Sequence, residues 1–312
     1  MDYIAIGIGL ILLVKGGDWL LDAAVGLSLR LNIPKIVIGM TVVSFATSAP
    51  ELIVSINAAT DGYADLAVGN IVGSNIANLA LILSVVILIS PIDVSPTFYK
   101  TDAPMMLLAT ILFYFFAAND LQITPLEGGV LLVLLLIFLV FLLFFQKKAV
   151  IEDQNLQNLK ELSSVKIALL LCTGGFALWL GSEVLIKGAI GIATAMGVSE
   201  RIISISIVSI GTSIPELSAS IIAILNREKA ISLGNLIGSN IFNILVVMGI
   251  TAIITPVGIG DMNLLKVDFI WMILISVLVF VLVFIPSRMR LGRWEGLILI
   301  GLYIFYMNQL FA

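Results

Sequence analysis

Three stretches of this 312-residue chain, 66–92, 230–260 and 269–287, contain no Asp, Glu, Lys or Arg. A helix crosses the hydrocarbon core of a bilayer in about 20 residues. A soluble domain of this size has no means of covering so much continuous apolar chain, so lipid is the solvent. Composition agrees, with 60% of residues hydrophobic and 12% charged, where a soluble domain carries roughly 25% charged residues. Cytosolic and secreted enzymes are thereby excluded, as are nucleic-acid binders, for which a net charge of −4 offers no basic footprint. The chain has no histidine and one cysteine, Cys172. Ser–His and Cys–His nucleophiles, His-ligated zinc and an internal disulfide are ruled out, and no cofactor is implied. The start, Met1-Asp2-Tyr3, is acidic, so the first apolar segment is expected to be a retained span rather than a cleaved signal.

The expected fold is an all-α membrane protein with ten transmembrane helices. The spans are read at about 3–30, 35–59, 64–90, 102–118, 126–145, 166–195, 202–225, 230–254, 267–286 and 295–311, with turn residues such as Asn32-Ile33-Pro34, Asp61-Gly62 and Asn226-Arg227 between them. Loops 1–2, 3–4, 5–6, 7–8 and 9–10 hold Arg30, Lys35, Lys100, Lys147, Lys148, Lys160, Lys166, Arg227, Lys229, Arg288, Arg290 and Arg293; the other side holds Arg201 and Lys266. Twelve against two places the first set in the cytoplasm. Both termini are then outside, and the polar segment 146–165 is a cytoplasmic linker between a first five-helix unit, 1–145, and a second, 166–312. A plasma (inner) membrane is the expected location.

The two halves are copies. Residues 41–55, TVVSFATSAPELIVS, match 206–220, SIVSIGTSIPELSAS, at eight of fifteen positions, and 69–78, GNIVGSNIAN, match 234–243, GNLIGSNIFN, at seven of ten; both offsets are 165. Each half has an odd number of spans, so the second enters the membrane from the opposite side. Two inverted five-helix repeats are a design of secondary transporters with a site near the midplane.

Glu51 and Glu216 fall inside apolar spans at equivalent positions. A carboxylate at bilayer depth is costly and marks function by default; the alternative is a hydrogen-bonded pair that holds helices together. Each follows Thr-Ser-x-Pro. Pro50 and Pro215 lack an N–H and clash with the carbonyl four residues back, at Ala46 and Gly211, which frees carbonyls of the preceding turn. Thr47 and Thr212 are placed to offer carbonyl oxygen, and Ser44, Ser48, Ser209 and Ser213 add hydroxyls. Spans 3 and 8 supply Ser74 with Asn78 and Ser239 with Asn243, each pair four apart and on one helix face. Asn70, Asn75, Asn235 and Asn240 are further amides, open to ligand contact or interhelical bonding, while the Gly69-x-x-x-Gly73 and Gly234-x-x-x-Gly238 spacings suit close packing.

This inventory is all oxygen and suits hard cations. Calcium takes about 6–8 oxygens at roughly 2.3–2.6 Å, and sodium, of similar size, accepts the same ligands. Two glutamates balance one Ca2+ or two Na+, so a third Na+ would leave the site positive. With no cation bound the two carboxylates repel and one gains a proton, so H+ should compete.

The paired T-S-x-P-E and G-N-x-x-G-S-N blocks resemble the alpha repeats of the cation/calcium antiporter superfamily, in its sodium/calcium exchanger branch, over nearly the whole chain. The resemblance implies a secondary antiporter exchanging Na+ for Ca2+ by alternating access, with ions bound between spans 2, 3, 7 and 8 while spans 1 and 6 slide. Carried to matching positions, it implies Glu51, Glu216, Thr47 and Thr212 as calcium ligands. Ser44, Ser48, Ser74, Ser209, Ser213 and Ser239 would complete flanking sodium sites, with Asn78 and Asn243 between the glutamates. Function as a monomer is expected.

Departures from the family pattern bear on selectivity. Ala46 stands where the family's first motif has glycine, which Gly211 retains in the second. Asn243, where potassium-dependent members carry Asp, argues against potassium dependence. The absence of a long domain between spans 5 and 6 matches a minimal prokaryotic form. Other readings are an antiporter coupled to H+ or carrying Mg2+ or Mn2+, a cation channel, and an intramembrane protease, since Gly258-Ile259-Gly260-Asp261 spells G-x-G-D. Lys15, Asp18, Glu183 and Lys187 sit at near-equivalent places in spans 1 and 6, where intrahelical pairing or a part in gating is open to them.

Overall fold

With no water to accept them, the backbone N–H and C=O groups of an apolar span must pair within the span, and the long uncharged runs therefore form helices. The computed structural model describes residues 2–145, 162–196, 211–285 and 289–311. Its helices are α1 (Asp2–Leu31), α2 (Lys35–Thr47), α3 (Ala49–Thr60), α4 (Ala64–Ile89), α5 (Phe98–Asp120), α6 (Pro125–Phe145), α7 (Ser164–Ala195), α8 (Ile214–Leu225), α9 (Lys229–Ile254), α10 (Leu264–Leu282) and α11 (Arg293–Phe311). Among the described residues seven helices are long and apolar enough to cross a membrane, and up to eight if α2 and α3, broken at Ser48, form one span. The chain is an all-helical, multi-pass membrane protein. Helix α8 is the described part of the span expected over 202–225; Ser209 and Arg201, and residues 146–161 of the linker, lie outside the described residues.

The chain forms two compact units, Met1–Ser48 with Leu142–Asn235, and Ala49–Phe141 with Leu236–Ala312. Each draws on both halves of the sequence. The repeat and the compact unit are therefore different divisions of the same chain.

In the first unit α1 packs along α7 through four glycines. A Cβ on Gly16 would lie 2.9 Å from the Gly174 carbonyl, and one on Gly174 would lie 3.0 Å from the Gly16 carbonyl. Gly9 and Gly181 stand in the same relation, at 2.8 and 3.0 Å. Backbone meets backbone, as small residues permit in membranes, and the pairing order shows that the helices run antiparallel. Gly9 and Gly174 are 165 residues apart, as are Gly16 and Gly181. Each glycine thus meets the equivalent of the other, the reciprocity of a two-fold contact.

The second unit repeats that relation in its loops. Strand β1 (Ile92–Asp93) pairs antiparallel with β4 (Arg290–Leu291), Ile92 opposite Leu291. Strand β2 (Gln122–Ile123) pairs antiparallel with β3 (Val257–Gly258), Ile123 opposite Val257. Ile92 and Val257 are 165 apart, and Gln122 and Arg290 are 168 apart, so one ribbon is the repeat image of the other. π-helical turns recur at near-equivalent places: Ala77–Ile82 within α4 and Asn243–Met248 within α9, and Phe98–Asp102 opening α5 and Leu264–Asp268 opening α10.

The Gly258–Asp261 segment has a structural use. Gly260 and Asp261 donate their backbone N–H groups to the Asp65 carboxylate at 2.8 and 3.1 Å, and the exposed Asp261 caps Asn263 N at 2.8 Å. It is a pinned surface turn. Burial sorts the helices: α4 and α9 are 78% and 83% buried over their most apolar stretch, whereas α6 and α7 are 28% buried. The helices bearing the G-N-x-x-G-S-N blocks are therefore interior, and α6 turns Val133, Leu136, Ile137 and Val140 outward, where lipid covers them.

The glycine seam makes a direct prediction. Gly16→Ala forces α1 and α7 apart and should cost about 1–3 kcal/mol, read as a lower unfolding temperature in detergent. Gly7→Ala, with open space around it, should leave that temperature unchanged or raised, because alanine favours helix by roughly 1 kcal/mol. Equal effects at the two positions would refute close backbone packing.

Candidate ion-binding site

The T-S-x-P-E blocks do not kink a continuous helix. In each a new helix begins at the residue before the proline. In the first unit α2 closes at Thr47, and Ser48 takes φ −89°, ψ 4°. Before α8, Ser213 takes φ −90°, ψ 5°, so the two serines 165 apart share one backbone conformation. Each proline then falls at the second position of the new helix, where its missing N–H is no loss. Each glutamate falls in the first turn, where the helix dipole favours negative charge. Thr47 is the last residue of α2, and terminal carbonyls of a helix have no intrahelical donor and carry its negative pole. The Gly211 carbonyl, which Pro215 deprives of its helix partner, accepts a hydrogen bond from Ser182 Oγ of α7 at 2.9 Å. Sequence reasoning left that carbonyl open, and the hydroxyl that takes it gives no signal in the motif.

Glu216 of the first unit is fully buried. Ser48 Oγ donates to its Oε1 at 2.9 Å. Ser44 Oγ lies 2.9 Å from both the Gly39 and the Asn235 carbonyls, so its single proton is committed to them and its lone pairs face elsewhere. Thr47 Oγ1 lies 3.2 Å from Asn235 Oδ1 and 3.3 Å from the Ser44 carbonyl, which share its one proton. Ser213 is buried, and its hydroxyl has no hydrogen-bond partner among the described residues. Thr212 is half-buried in the turn before it.

In the second unit Glu51 is also fully buried, on α3, which packs against α4 and against the π-turn of α9. Ser74, Asn78, Ser239 and Asn243 are all buried. Asn243 Nδ2 donates to Asn75 Oδ1 at 3.1 Å, and Asn75 Nδ2 donates to the Asn240 carbonyl at 3.3 Å. Asn243 thus has its nitrogen tied and its oxygen, like Ser74 Oγ and both polar atoms of Asn78, without a hydrogen-bond partner among the described residues. Buried polar groups are nearly always paired. The exceptions fall on two faces predicted from the repeat, and the oxygens of Ser74, Asn78 and Asn243 are of the kind a hard cation accepts. The π-turns start at or beside Asn78 and Asn243, and single π-turns often mark functional sites.

Sequence reasoning did not resolve Asn70 and Asn235. Asn70 Nδ2 donates to Ser55 Oγ at 3.0 Å and to the Glu51 carbonyl at 3.4 Å. Asn235 Nδ2 donates to Ser220 Oγ at 3.1 Å and to the Glu216 carbonyl at 3.5 Å. Both brace the turn that carries a glutamate. Of the charged residues in the first and sixth spans, Glu183 and Lys187 form a loose 3.8 Å pair with both side chains exposed, worth little in stability.

The unpartnered oxygens set up a trade. Ser74→Ala removes a buried group that forms no hydrogen bond among the described residues, so the ion-free protein should unfold at an unchanged or higher temperature. The stabilisation that added Ca2+ gives to the wild type should shrink in the same variant. A clear loss of ion-free stability would instead show that Ser74 is structural.

Residues 2–144 and 166–311 match the family described as sodium/calcium exchanger protein. The sodium/calcium exchanger MaX1 of Methanosarcina acetivorans is 30% identical over 100% of this chain and 99% of its own. The inner membrane protein YrbG of Escherichia coli is 34% identical over 97% and 95%. A solved structure of the sodium-calcium exchanger NCX_Mj, soaked with Na+ and Ca2+, matches with a TM-score of 0.81 at 28% identity, covering 98% of this chain and 97% of that one. A second, soaked with Na+ and no Ca2+, gives 0.83 at 30% identity over 99% of each. Transporters, not enzymes, surround it, and with its duplicated glutamate motifs and full-length match this chain belongs to the sodium/calcium exchanger family.

Proposed function

We propose that this protein is a plasma-membrane antiporter that exchanges Na+ for Ca2+ by alternating access. The observation that carries the reading is the pair Glu51 and Glu216. Both are fully buried carboxylates in the first turn of a helix that begins just after a Thr-Ser pair, at equivalent positions of the two repeats. Their ligand partners on this reading are the Thr47 and Thr212 carbonyls for calcium, and Ser44, Ser48, Ser74, Ser209, Ser213 and Ser239 for flanking sodium ions, with Asn78 and Asn243 between the glutamates.

The charge balance explains exchange rather than co-binding. One Ca2+ or two Na+ neutralises the two carboxylates, and in a low-dielectric interior excess positive charge is strongly disfavoured. Sodium and calcium are therefore alternative occupants, and protons are competitors for the empty site. Neutral Asn243 keeps the carboxylate count at two.

The architecture proposed for this activity is ten spans in two inverted repeats, 1–145 and 166–312, joined by a cytoplasmic linker at 146–165, with both termini outside. The reciprocal glycine contact of α1 with α7 and the mirrored β-ribbons support the inversion, and the twelve-to-two distribution of Lys and Arg supports the orientation. One chain carries both halves of the motif, so a monomer suffices.

The test is radiolabelled calcium uptake into sodium-loaded proteoliposomes. Uptake should require the outward sodium gradient and should fall to background in Glu51→Gln and in Glu216→Gln, since each removes one of the two charges that balance Ca2+. Uptake that follows a pH gradient and ignores sodium would overturn the sodium coupling. Full uptake in either variant would overturn the site.

A further inference from the structure

The motif leaves the role of Asn235 open, and its surroundings are unusually complete. The side chain is buried. Its Nδ2 donates to Ser220 Oγ at 3.1 Å and to the Glu216 carbonyl at 3.5 Å. Its Oδ1 accepts from Thr47 Oγ1 at 3.2 Å, and its backbone carbonyl accepts from Ser44 Oγ at 2.9 Å. One residue therefore touches Ser44, Thr47 and Glu216, three of the groups assigned to the ions. Ser220 is itself held, because its carbonyl accepts from Ser232 Oγ at 3.0 Å.

The chemistry calls for asparagine. A carbonyl and a hydroxyl on one side need two donors, and a threonine hydroxyl on the other needs an acceptor. Only a primary amide offers both at once. Aspartate has no donor for the Glu216 turn, leucine has neither, and glutamine is one methylene too long. The same arrangement recurs 165 residues earlier, where Asn70 Nδ2 donates to Ser55 Oγ and the Glu51 carbonyl. A brace built twice, to the same two groups, is a property of the repeat.

We propose that Asn235, with Asn70 as its repeat counterpart, is a positioning residue for the ion site. Asn235 holds the first turn of α8 against the last turn of α2, so that the Glu216 carboxylate and the Thr47 carbonyl keep a fixed relation. Its polar atoms face these groups rather than the ion. A loose turn leaves the carboxylate free to rotate away, which weakens ion binding without removing any ligand. Placement within about 0.5 Å is what a binding constellation demands of its supporting groups. The proposal rests on Glu216, Thr47 and Ser44 being ion ligands.

The experiment is sodium-driven calcium uptake in proteoliposomes, giving an apparent KM for Ca2+ and a maximal rate, with the unfolding temperature measured on the same preparations. Asn235→Ala should raise KM about tenfold and Ser220→Ala about threefold, with maximal rates within roughly twofold of wild type. The double variant should resemble Asn235→Ala alone, because both act through one contact. A lowered unfolding temperature and maximal rate with an unchanged KM would make Asn235 merely structural and overturn the proposal. Should Asn235→Ala fail to fold, Ser220→Ala and Thr47→Val decide, each removing one partner; wild-type KM in both overturns it. Glu216→Gln is the separate control. Wild-type exchange in that variant refutes the ligand assignment itself, whereas lost exchange there with an unmoved KM in the Asn235 set refutes only the positioning role.

Discussion

Everything in this chain follows from placing two carboxylates in a low-dielectric interior. An intramembrane carboxylate is costly unless something compensates for it. Glu51 and Glu216 are each compensated locally. Each sits in the first turn of a helix, where the dipole is favourable, and each has its turn braced by an asparagine amide. The helix break that makes this possible also exposes the carbonyls at the end of α2. The same device thus supplies a negative helix pole, a carboxylate and a set of hydroxyls within a few residues. A proline inside a continuous helix would not do so. It would leave the glutamate mid-helix, with no dipole to support its charge.

The packing around these turns has to combine stiffness with the capacity to move. At Gly9, Gly16, Gly174 and Gly181 the backbones of α1 and α7 meet directly, with the side chains of Leu12, Ala177 and Leu185 beside them. Backbone contact of this kind leaves fewer side-chain knobs to fix the two helices in register. The interior helices α4 and α9 are fitted differently, with asparagine amides bonded to carbonyls and to one another. The bonds that are made, Asn243 to Asn75 and Asn75 to the Asn240 carbonyl, tie α4 to α9, which suits elements that present ligands. That contrast is the physical division of labour expected of a transporter whose site stays fixed while its access changes.

Much of this was legible in the sequence. The uncharged runs dictated helices and a membrane, and the 165-residue offset exposed both the duplication and the glutamate pair. The glycine seam was legible in principle, since Gly9 and Gly16 recur at Gly174 and Gly181 at that same offset, but single glycines in apolar helices are too common to stand out. The role of Asn70 and Asn235 was not legible, because an amide beside a glycine reads equally well as ligand or brace until its partners are known. The π-turns at Ala77–Ile82 and Asn243–Met248 have no composition signature. A turn widened by one residue depends on how the helix packs against its neighbours, which the local sequence does not encode.

The repeats are equivalent in sequence but not in their bonding, and the difference is informative. Ser48 Oγ is bonded to Glu216, whereas the hydroxyl of its counterpart Ser213 has no hydrogen-bond partner among the described residues. Asn243 has its nitrogen tied to Asn75, whereas both polar atoms of its counterpart Asn78 lack a hydrogen-bond partner among those residues. An unsatisfied buried polar group costs about 1–3 kcal/mol; a cation would offset that cost at the oxygens of Ser213 and Asn78, whereas the Asn78 amide nitrogen requires an acceptor. The two copies of the motif therefore differ in bonding within one conformation, Ser48 committing its proton to Glu216 while the Ser213 hydroxyl stays open among the described residues.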